Sequence, residues 1–206
     1  MMIEVEYLSP NKLMVEVKVT DKEVLGMAVD TKAATKAARQ LYETIHSIKE
    51  SKRTGQIATD LDQLIKNLQV KVFEIDMKEL GDVADDVEIN ESTSGFLIKA
   101  NENYTIYLNK NDPMTRKRFT IAHEMGHLKL NHVENIICRD SISSLGTDEN
   151  EVKANAFAAE LLMPEELMDY AYKLLKSVYR VARVFGVSED AARIRLTKLG
   201  VINNEF

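Results

Sequence analysis

Hydrophobic and polar residues recur along the chain with two different periods, and the period separates predicted strands from predicted helices. Near the amino terminus, apolar side chains occupy alternate positions over residues 3–7 and 13–19, with Ser9-Pro10-Asn11 between them. This pattern predicts a β-hairpin. From Thr31 to Lys52 the apolar positions have helical spacing and predict one helix. We therefore expect a hairpin-plus-helix module over residues 1–55, which ends in a loop at Gly55.

The middle of the chain predicts a short helix, a small sheet and a long helix. The short helix begins after a cap at Thr59 or Asp60, and a strand-like alternation follows over residues 70–75. Residues 95–99 and 104–108 alternate around a polar turn, so we expect them to pair as a second hairpin. The long helix follows this hairpin, with Asp112 as its cap and Pro113 as its first residue. The pattern predicts the α+β class.

Composition restricts the kind of protein. The 206 residues are 45% hydrophobic and 29% charged, which is typical of a globular chain of one domain with a small appendage. No apolar run approaches the roughly 18 residues that a membrane span needs, and the amino terminus lacks the features of a signal peptide. The single cysteine, Cys138, cannot form an internal disulfide. We expect a cytoplasmic protein, and its net charge of −6 argues against general nucleic-acid binding.

A metal-binding motif lies inside the predicted long helix. His123-Glu124-Met125-Gly126-His127 places two histidines four residues apart, so both imidazoles project from one face and can bind one Zn²⁺. Glu124 lies to the side of the histidines, where it can hold a water molecule as a general base instead of binding the metal. Apolar residues flank the motif on both sides, which disfavours a solvated surface helix.

A third protein ligand is needed, and the nearest candidates have the wrong geometry. His132 would lie about 140° from the metal face of a continuing helix. We therefore predict that His132 is a polar residue at the end of the helix and not a metal ligand. Glu134 would lie on the correct face but one to two turns too far along the axis. Glu134 is therefore a poor candidate for the third ligand, as His132 is.

Glu151 is the better candidate. It begins an alanine-rich stretch that ends at Pro164 and predicts a narrow helix, able to pack closely and antiparallel to the motif helix. Glu151 would stand in its first turn and complete a His₂Glu site, although an acid at a helix start is also favoured by the helix dipole alone. Asn155, one turn further on, is predicted to accept the second ring N–H of His123 or His127 and to orient that ring.

The motif and its surroundings resemble a known family. The run from Arg118 to His127, followed by Glu151, Ala154-Asn155 and the stretch that ends at Pro164, closely resembles the ImmA/IrrE metallopeptidases. The similarity extends from about residue 57 to the C terminus. It implies a gluzincin-like zinc peptidase domain, here over residues 56–175, in which a small sheet packs on the active-site helix.

The resemblance also implies roles and partners. His123, His127 and Glu151 would be metal ligands, and Glu124 would be the general base. Members are bacterial or mobile-element proteins linked to stress or phage-like gene regulation, and their implied substrate is a partner transcriptional repressor. Residues 1–55 fall outside the resemblance.

The C-terminal segment, residues 176–206, predicts a pair of helices spaced like a helix-turn-helix, with Ile194 and Leu196 facing inward. Six basic residues against two acidic ones lie between Lys176 and Gly200. These basic residues favour DNA contact as one alternative. The other is that the helix pair closes a core or holds a partner protein, as similar helix pairs often do. The candidate contact residues are Arg193, Arg195 and Lys198.

The leading hypothesis is a zinc endopeptidase, with Mn²⁺ as an alternative ion, since His₂-carboxylate sites accept several divalent metals. The strand 104–108 is a candidate to pair with an extended substrate, and Tyr107 is a candidate oxyanion donor. The rival hypothesis is a catalytically weak, metal-containing regulatory protein that binds a repressor or DNA.

Overall fold

The computed structural model describes residues 29–78, 92–101, 103–132, 136–139 and 149–203. These residues form eight helices and four strands in a mixed α+β arrangement. The predicted N-terminal hairpin over residues 3–19 lies outside the described residues. The elements in chain order are α1 (Lys32–Glu43), α2 (Ile48–Thr54), α3 (Leu61–Asn67), β1 (Lys71–Ile75), β2 (Gly95–Ala100), β3 (Asn103–Asn109), α4 (Met114–Lys129), β4 (Ile136–Arg139), α5 (Glu149–Leu162), α6 (Glu165–Leu175), α7 (Val178–Phe185) and α8 (Glu189–Lys198).

The single helix predicted from Thr31 to Lys52 is wrong, because the chain turns between α1 and α2. The hydroxyl of Thr44 donates to the carbonyl of Leu41 at 2.7 Å, which ends α1 by a local side-chain bond. Ser47 is extended, and α2 then continues in a new direction. A buried hydrogen bond of 3.1 Å between the hydroxyls of Tyr42 and Ser51 holds the two helices together.

The four strands form one sheet in the order β1-β3-β2-β4. The predicted hairpin of β2 and β3 is confirmed as an antiparallel pair, and β1 lies parallel to β3 on its other side. Because side chains alternate along a strand, Ile106 and Leu108 face one side of β3. There they form a small core with Leu97, against which Ile121 and Leu128 of α4 pack.

Two helix starts can be compared with their predicted caps. Asp60 caps α3, where its carboxylate accepts the N–H of Gln63 at 2.9 Å, so this prediction is confirmed. Asp112 does not cap α4, which is a correction. Pro113 itself is the residue that precedes the helix, with an extended backbone and no side-chain cap, and Asp112 lies 3.7 Å from Arg116 instead.

The main hydrophobic core is built from helices on both sides of the predicted boundary at residue 55. Ala38 and Leu41 of α1 are buried in the same cluster as Phe157 and Leu161 of α5 and Met125 of α4. The boundary itself stays a prediction, but the described helices before and after it share this core. No helix in the described part of the chain has the length and hydrophobicity that a membrane crossing requires.

The last two helices pack against each other around Gly186, whose positive φ of 67° turns the chain after α7. Leu196 is fully buried as predicted, but Ile194 is 55% exposed, which corrects its predicted inward position. The reason is the helical period. Ala192 and Leu196 are one turn apart and already occupy the buried face of α8, so Ile194 points about 160° away from Leu196.

Candidate metal centre

Of the polar side chains that helix α4 buries, those of His123, Glu124 and His127 are the most completely removed from solvent. Burying polar groups is unfavourable unless they gain specific partners. The four-residue spacing of the histidines brings their rings to one face, with centroids 4.6 Å apart and the two Nε2 atoms 2.8 Å apart. This end of α4 therefore concentrates nitrogen donors in a buried place.

Glu151 of α5 completes a group of three donors. Its two carboxylate oxygens lie 3.1 Å from Nε2 of His127 and 3.7 Å from Nε2 of His123, and its side chain is 27% exposed. Ligand atoms that bind one tetrahedral Zn²⁺ at about 2.0–2.1 Å lie roughly 3.3 Å from each other. The separations in this group bracket that value. The donor types and the spacing both fit a divalent metal ion, with Glu151 open to the solvent side.

Asn155 fixes the orientation of one ring. Its Oδ1 lies 3.0 Å from Nδ1 of His123. Because an amide oxygen only accepts hydrogen bonds, Nδ1 of His123 must carry the hydrogen and donate it. The Nε2 lone pair is then left pointing toward His127 and Glu151, which is the tautomer that a metal ligand needs.

The close approach of α4 and α5 depends on Gly126. A Cβ atom at this position would lie 3.2 Å from Cα of Ala154 and equally near the side chain of Phe157. His123 lies against Asn155 while His127 lies against Glu151, so the two helices run antiparallel at this contact. The small residues let α5 come near enough for its carboxylate to reach the histidine pair.

Comparison with known proteins shows the family of this chain. A family model described as the IrrE N-terminal-like domain, a peptidase family, matches residues 65–197 and thus includes every residue of the centre. The chain belongs to the ImmA/IrrE family of metallopeptidases. Membership in a metallopeptidase family implies a bound metal, and the His-His-Glu group has the donor chemistry for one.

Two curated relatives are identical to this chain at somewhat more than a quarter of the aligned positions. Metallopeptidase ImmA of Bacillus subtilis (strain 168) is 29% identical over 110 residues, which cover 52% of this chain and 64% of that protein. Uncharacterized immunity region protein 2 of Bacillus phage phi105 is 26% identical over 107 residues, 52% of this chain and 68% of the relative. A solved Mycobacterium tuberculosis transcriptional regulator aligns with 80% of this chain and 46% of its own, at 16% identity and a TM-score of 0.46.

Tyr107 is not brought to this ImmA/IrrE centre. Its neighbours Ile106 and Leu108 face α4, so the tyrosine side chain lies on the opposite face of the sheet. There its ring stacks between Phe73 of β1 and Phe96 of β2, at centroid distances of 5.8 and 5.0 Å. The sheet separates the hydroxyl of Tyr107 from the histidine pair, which corrects its assignment as an oxyanion donor.

The three basic residues proposed for DNA or partner contact have different surroundings. Arg195 is mostly buried and binds Glu160 and the carbonyl of Met163, so it is not available to a partner. Arg193 is exposed but pairs with Glu189 one turn earlier at 2.9 Å. Lys198 is exposed at the end of α8. Only Arg193 and Lys198 keep the accessibility that the prediction required.

The contacts of two further residues, Arg118 and His132, were not predicted from the sequence. Arg118 of α4 is partly buried and donates to the carbonyls of Gly186 at 3.1 Å and Thr59 at 3.0 Å, and burial lowers the pKa of its guanidinium. His132 was predicted to be a polar residue at the helix end, away from the metal face. It does lie just beyond the end of α4, but its ring packs edge-on against that of His127, at a centroid distance of 5.4 Å. The helix ends before His132, and the available signal was Asn131, a residue type that commonly ends helices.

Proposed function

We propose that this chain is a zinc-dependent endopeptidase that cleaves a protein substrate, a partner transcriptional repressor, in a stress or mobile-element regulatory circuit. The observation that carries the proposal is the convergence of His123, His127 and Glu151 beside the buried carboxylate of Glu124. The names of the relatives, a metallopeptidase and a phage immunity region protein, support both the activity and the circuit.

In the proposed mechanism, one group of residues would hold the metal ion and Glu124 would transfer protons. His123, His127 and Glu151 would hold the metal, and Asn155 would keep His123 in the required tautomer. When bound, Zn²⁺ supplies Lewis-acid polarisation of the scissile carbonyl and lowers the pKa of water toward about 7. Glu124 would take the proton from the attacking water and deliver it to the leaving nitrogen as the peptide bond breaks.

The strand first considered for substrate pairing is excluded by the sheet order. The segment Tyr104–Leu108 belongs to β3, which is hydrogen-bonded to β1 on one side and to β2 on the other. It has no free edge at which an extended peptide could add. Among the described strands the edges belong to β1 and β4.

Of these two edges, we infer that the edge of β4 is the one beside the centre. Thr120 and His127 are seven residues apart on α4 and so lie on the same side of the helix to within about 20°. Thr120 packs against Gly95 of β2, and β2 pairs directly with β4. On the other side of α4, Arg118 contacts Thr59 just before α3, the helix that leads into β1. The proposed substrate therefore pairs with β4 through main-chain hydrogen bonds.

A cleavage assay tests the proposed function. The zinc-loaded protein is incubated with repressor proteins encoded beside it, with and without a chelator, and the products are measured by mass spectrometry. We expect fragments only without chelator. Glu124→Gln should bind zinc normally but lose at least about 10²-fold in rate. Glu151→Gln should lose zinc, whereas Glu149→Gln, which changes an exposed acid of the same helix, should resemble the parent.

Two outcomes would contradict the proposal. Unchanged cleavage by Glu124→Gln would remove Glu124 from the role of base. Tight repressor binding by the zinc-loaded parent without any fragments would instead favour the rival hypothesis, a regulatory protein that binds and does not cleave.

A further inference from the structure

The helix that carries both histidines ends in a specific hydrogen-bonded turn. The N–H of Asn131 donates to the carbonyl of Leu128 at 3.3 Å, and the N–H of His132 donates to the carbonyl of His127 at 3.0 Å. Asn131 between them has a left-handed backbone, with φ of 56°. These two bonds and the left-handed residue define a Schellman motif. His127 is therefore a member of the helix-ending turn as well as of the metal centre.

A Schellman motif brings together the side chains of the two residues joined by its longer bond. In most helices this contact is hydrophobic. In this chain it joins two imidazoles, and the half-buried ring of His132 lies edge-on to the ring of His127 at an interplanar angle of 71°. Because the chain reverses at Asn131, His132 lies beside the metal centre. In a continuing helix it would lie further from the centre.

The two histidines of the centre need restraint because the terminal torsion of a histidine side chain is broad, so an unrestrained ring can swing its Nε2 away from an ion. His123 is restrained by its hydrogen bond to Asn155. The ring of His127 has the edge of His132 against it. His132 is not part of the group of three donors, whose atoms all lie within 4.8 Å of one another.

We propose that His132 is a positioning residue of the metal centre. Its ring, folded back by the Schellman motif, holds the imidazole of His127 with Nε2 toward His123 and Glu151. It acts through ring packing, and it neither binds the metal nor touches the substrate. This inference rests on the proposed function, because it assumes that the His-His-Glu group binds a divalent ion.

The test compares metal binding by full-length variants. His132→Ala removes the ring, His132→Phe keeps an aromatic ring without nitrogens, and Asn131→Gly keeps the left-handed turn. The matched control is His46→Ala, which also removes a histidine packed against an aromatic ring, that of Tyr42 at a centroid distance of 5.5 Å, but far along the chain from the centre. The affinity for Zn²⁺ is measured by competition with a chromophoric chelator. The absorption spectrum of the Co²⁺-loaded protein reports the ligand geometry, and the melting temperature of the metal-free protein reports folding.

We expect His132→Ala to raise the zinc dissociation constant by about 10- to 100-fold and to change the Co²⁺ spectrum, as the loss of other ligand-orienting contacts does. His132→Phe, Asn131→Gly and His46→Ala should resemble the parent. A role in helix stability alone would lower the melting temperature of the metal-free protein and leave the Co²⁺ spectrum unchanged, which would overturn the proposal. Equal losses in His132→Ala and His132→Phe would also overturn it, because a ring nitrogen would then be essential.

Failure of the proposed function would look different. If the parent itself bound neither Zn²⁺ nor Co²⁺, the His-His-Glu centre would be refuted. If the parent bound metal and His132→Ala bound it equally well with the same spectrum, only the positioning role would be refuted. If His132→Ala did not fold, His132→Phe would decide: a parent-like spectrum supports the packing role, and an altered one contradicts it.

Discussion

Gly126 sets how closely α5 can approach the helix that carries the histidines, so a single methyl group there should weaken metal binding. In the structure a Cβ at this position would lie 3.2 Å from Cα of Ala154 and 3.2 Å from two atoms of Phe157. Carbon atoms in favourable contact lie about 3.5–4.0 Å apart. The Gly126→Ala variant must therefore move α5 away by a few tenths of an ångström, since a backbone atom cannot rotate aside.

Two opposing contributions keep the change in the free energy of unfolding of Gly126→Ala small, whereas the change in metal affinity is larger. Alanine inside a helix is more stable than glycine by roughly 1 kcal/mol, and overpacking costs about 1–3 kcal/mol. The free energy of unfolding of the metal-free protein should then fall by about 0–2 kcal/mol. Metal-ligand distances, however, tolerate only about 0.2 Å. Because Glu151 is carried away from His127, zinc affinity should fall by about tenfold or more, which corresponds to roughly 1.4 kcal/mol.

Chelator competition gives the zinc affinity, and urea unfolding with and without zinc gives the stability. Gly126→Val, which adds more atoms at the same place, should show a larger loss in the same direction. If Gly126→Ala bound zinc as tightly as the parent, the close helix contact would not control the position of Glu151, and the reasoning would be refuted.

Three further predictions concern other described contacts. Glu160→Gln leaves the buried guanidinium of Arg195 without its carboxylate and should lower the free energy of unfolding by about 3 kcal/mol, whereas the exposed Glu165→Gln should change little in the same urea titration. Burial raises the pKa of Tyr42, so the contribution of its neutral hydroxyl to stability is complete below about pH 10 and is lost as the pH rises further. The free energy of unfolding of Tyr42→Phe should therefore depend less on pH between about pH 9 and 12 than that of the parent. An unchanged pH dependence would contradict this. Tyr107→Phe should cleave at the parental rate, and a large loss of turnover would place its hydroxyl at the site after all.

The parts of the site that were predictable from the sequence follow from the regular geometry of one helix or one strand. Four residues of helix bring His123 and His127 to one face whatever surrounds them. The alanine-rich composition of α5 indicated a narrow helix, and the structure does bring Glu151 and Asn155 to the histidine pair. That these residues bind a metal stays a prediction until binding is measured.

The predictions that failed at the candidate site depended on contacts between distant parts of the chain. The alternation of residues along β3 predicted a strand, but it did not show which face of that strand meets α4 or which strands lie on either side. The face that meets α4 excludes Tyr107 from the site, and the two neighbouring strands exclude substrate pairing at β3. The charge of Arg195 was evident, yet its burial against Glu160 depends on how α8 packs on α5.

The sequence by itself determined the two histidines, the acid between them and the family to which they belong, because these features depend on spacing within a single helix. Only the tertiary structure decided which strands lie at the edges of the described sheet, on which face of that sheet Tyr107 lies, and that the chain turns back at Asn131 to lay His132 against His127. The physical reason is the separation along the chain between the residues that set each feature. Helix and strand periods are set by neighbouring residues, whereas strand order, burial and chain reversal are set by which elements exclude water together.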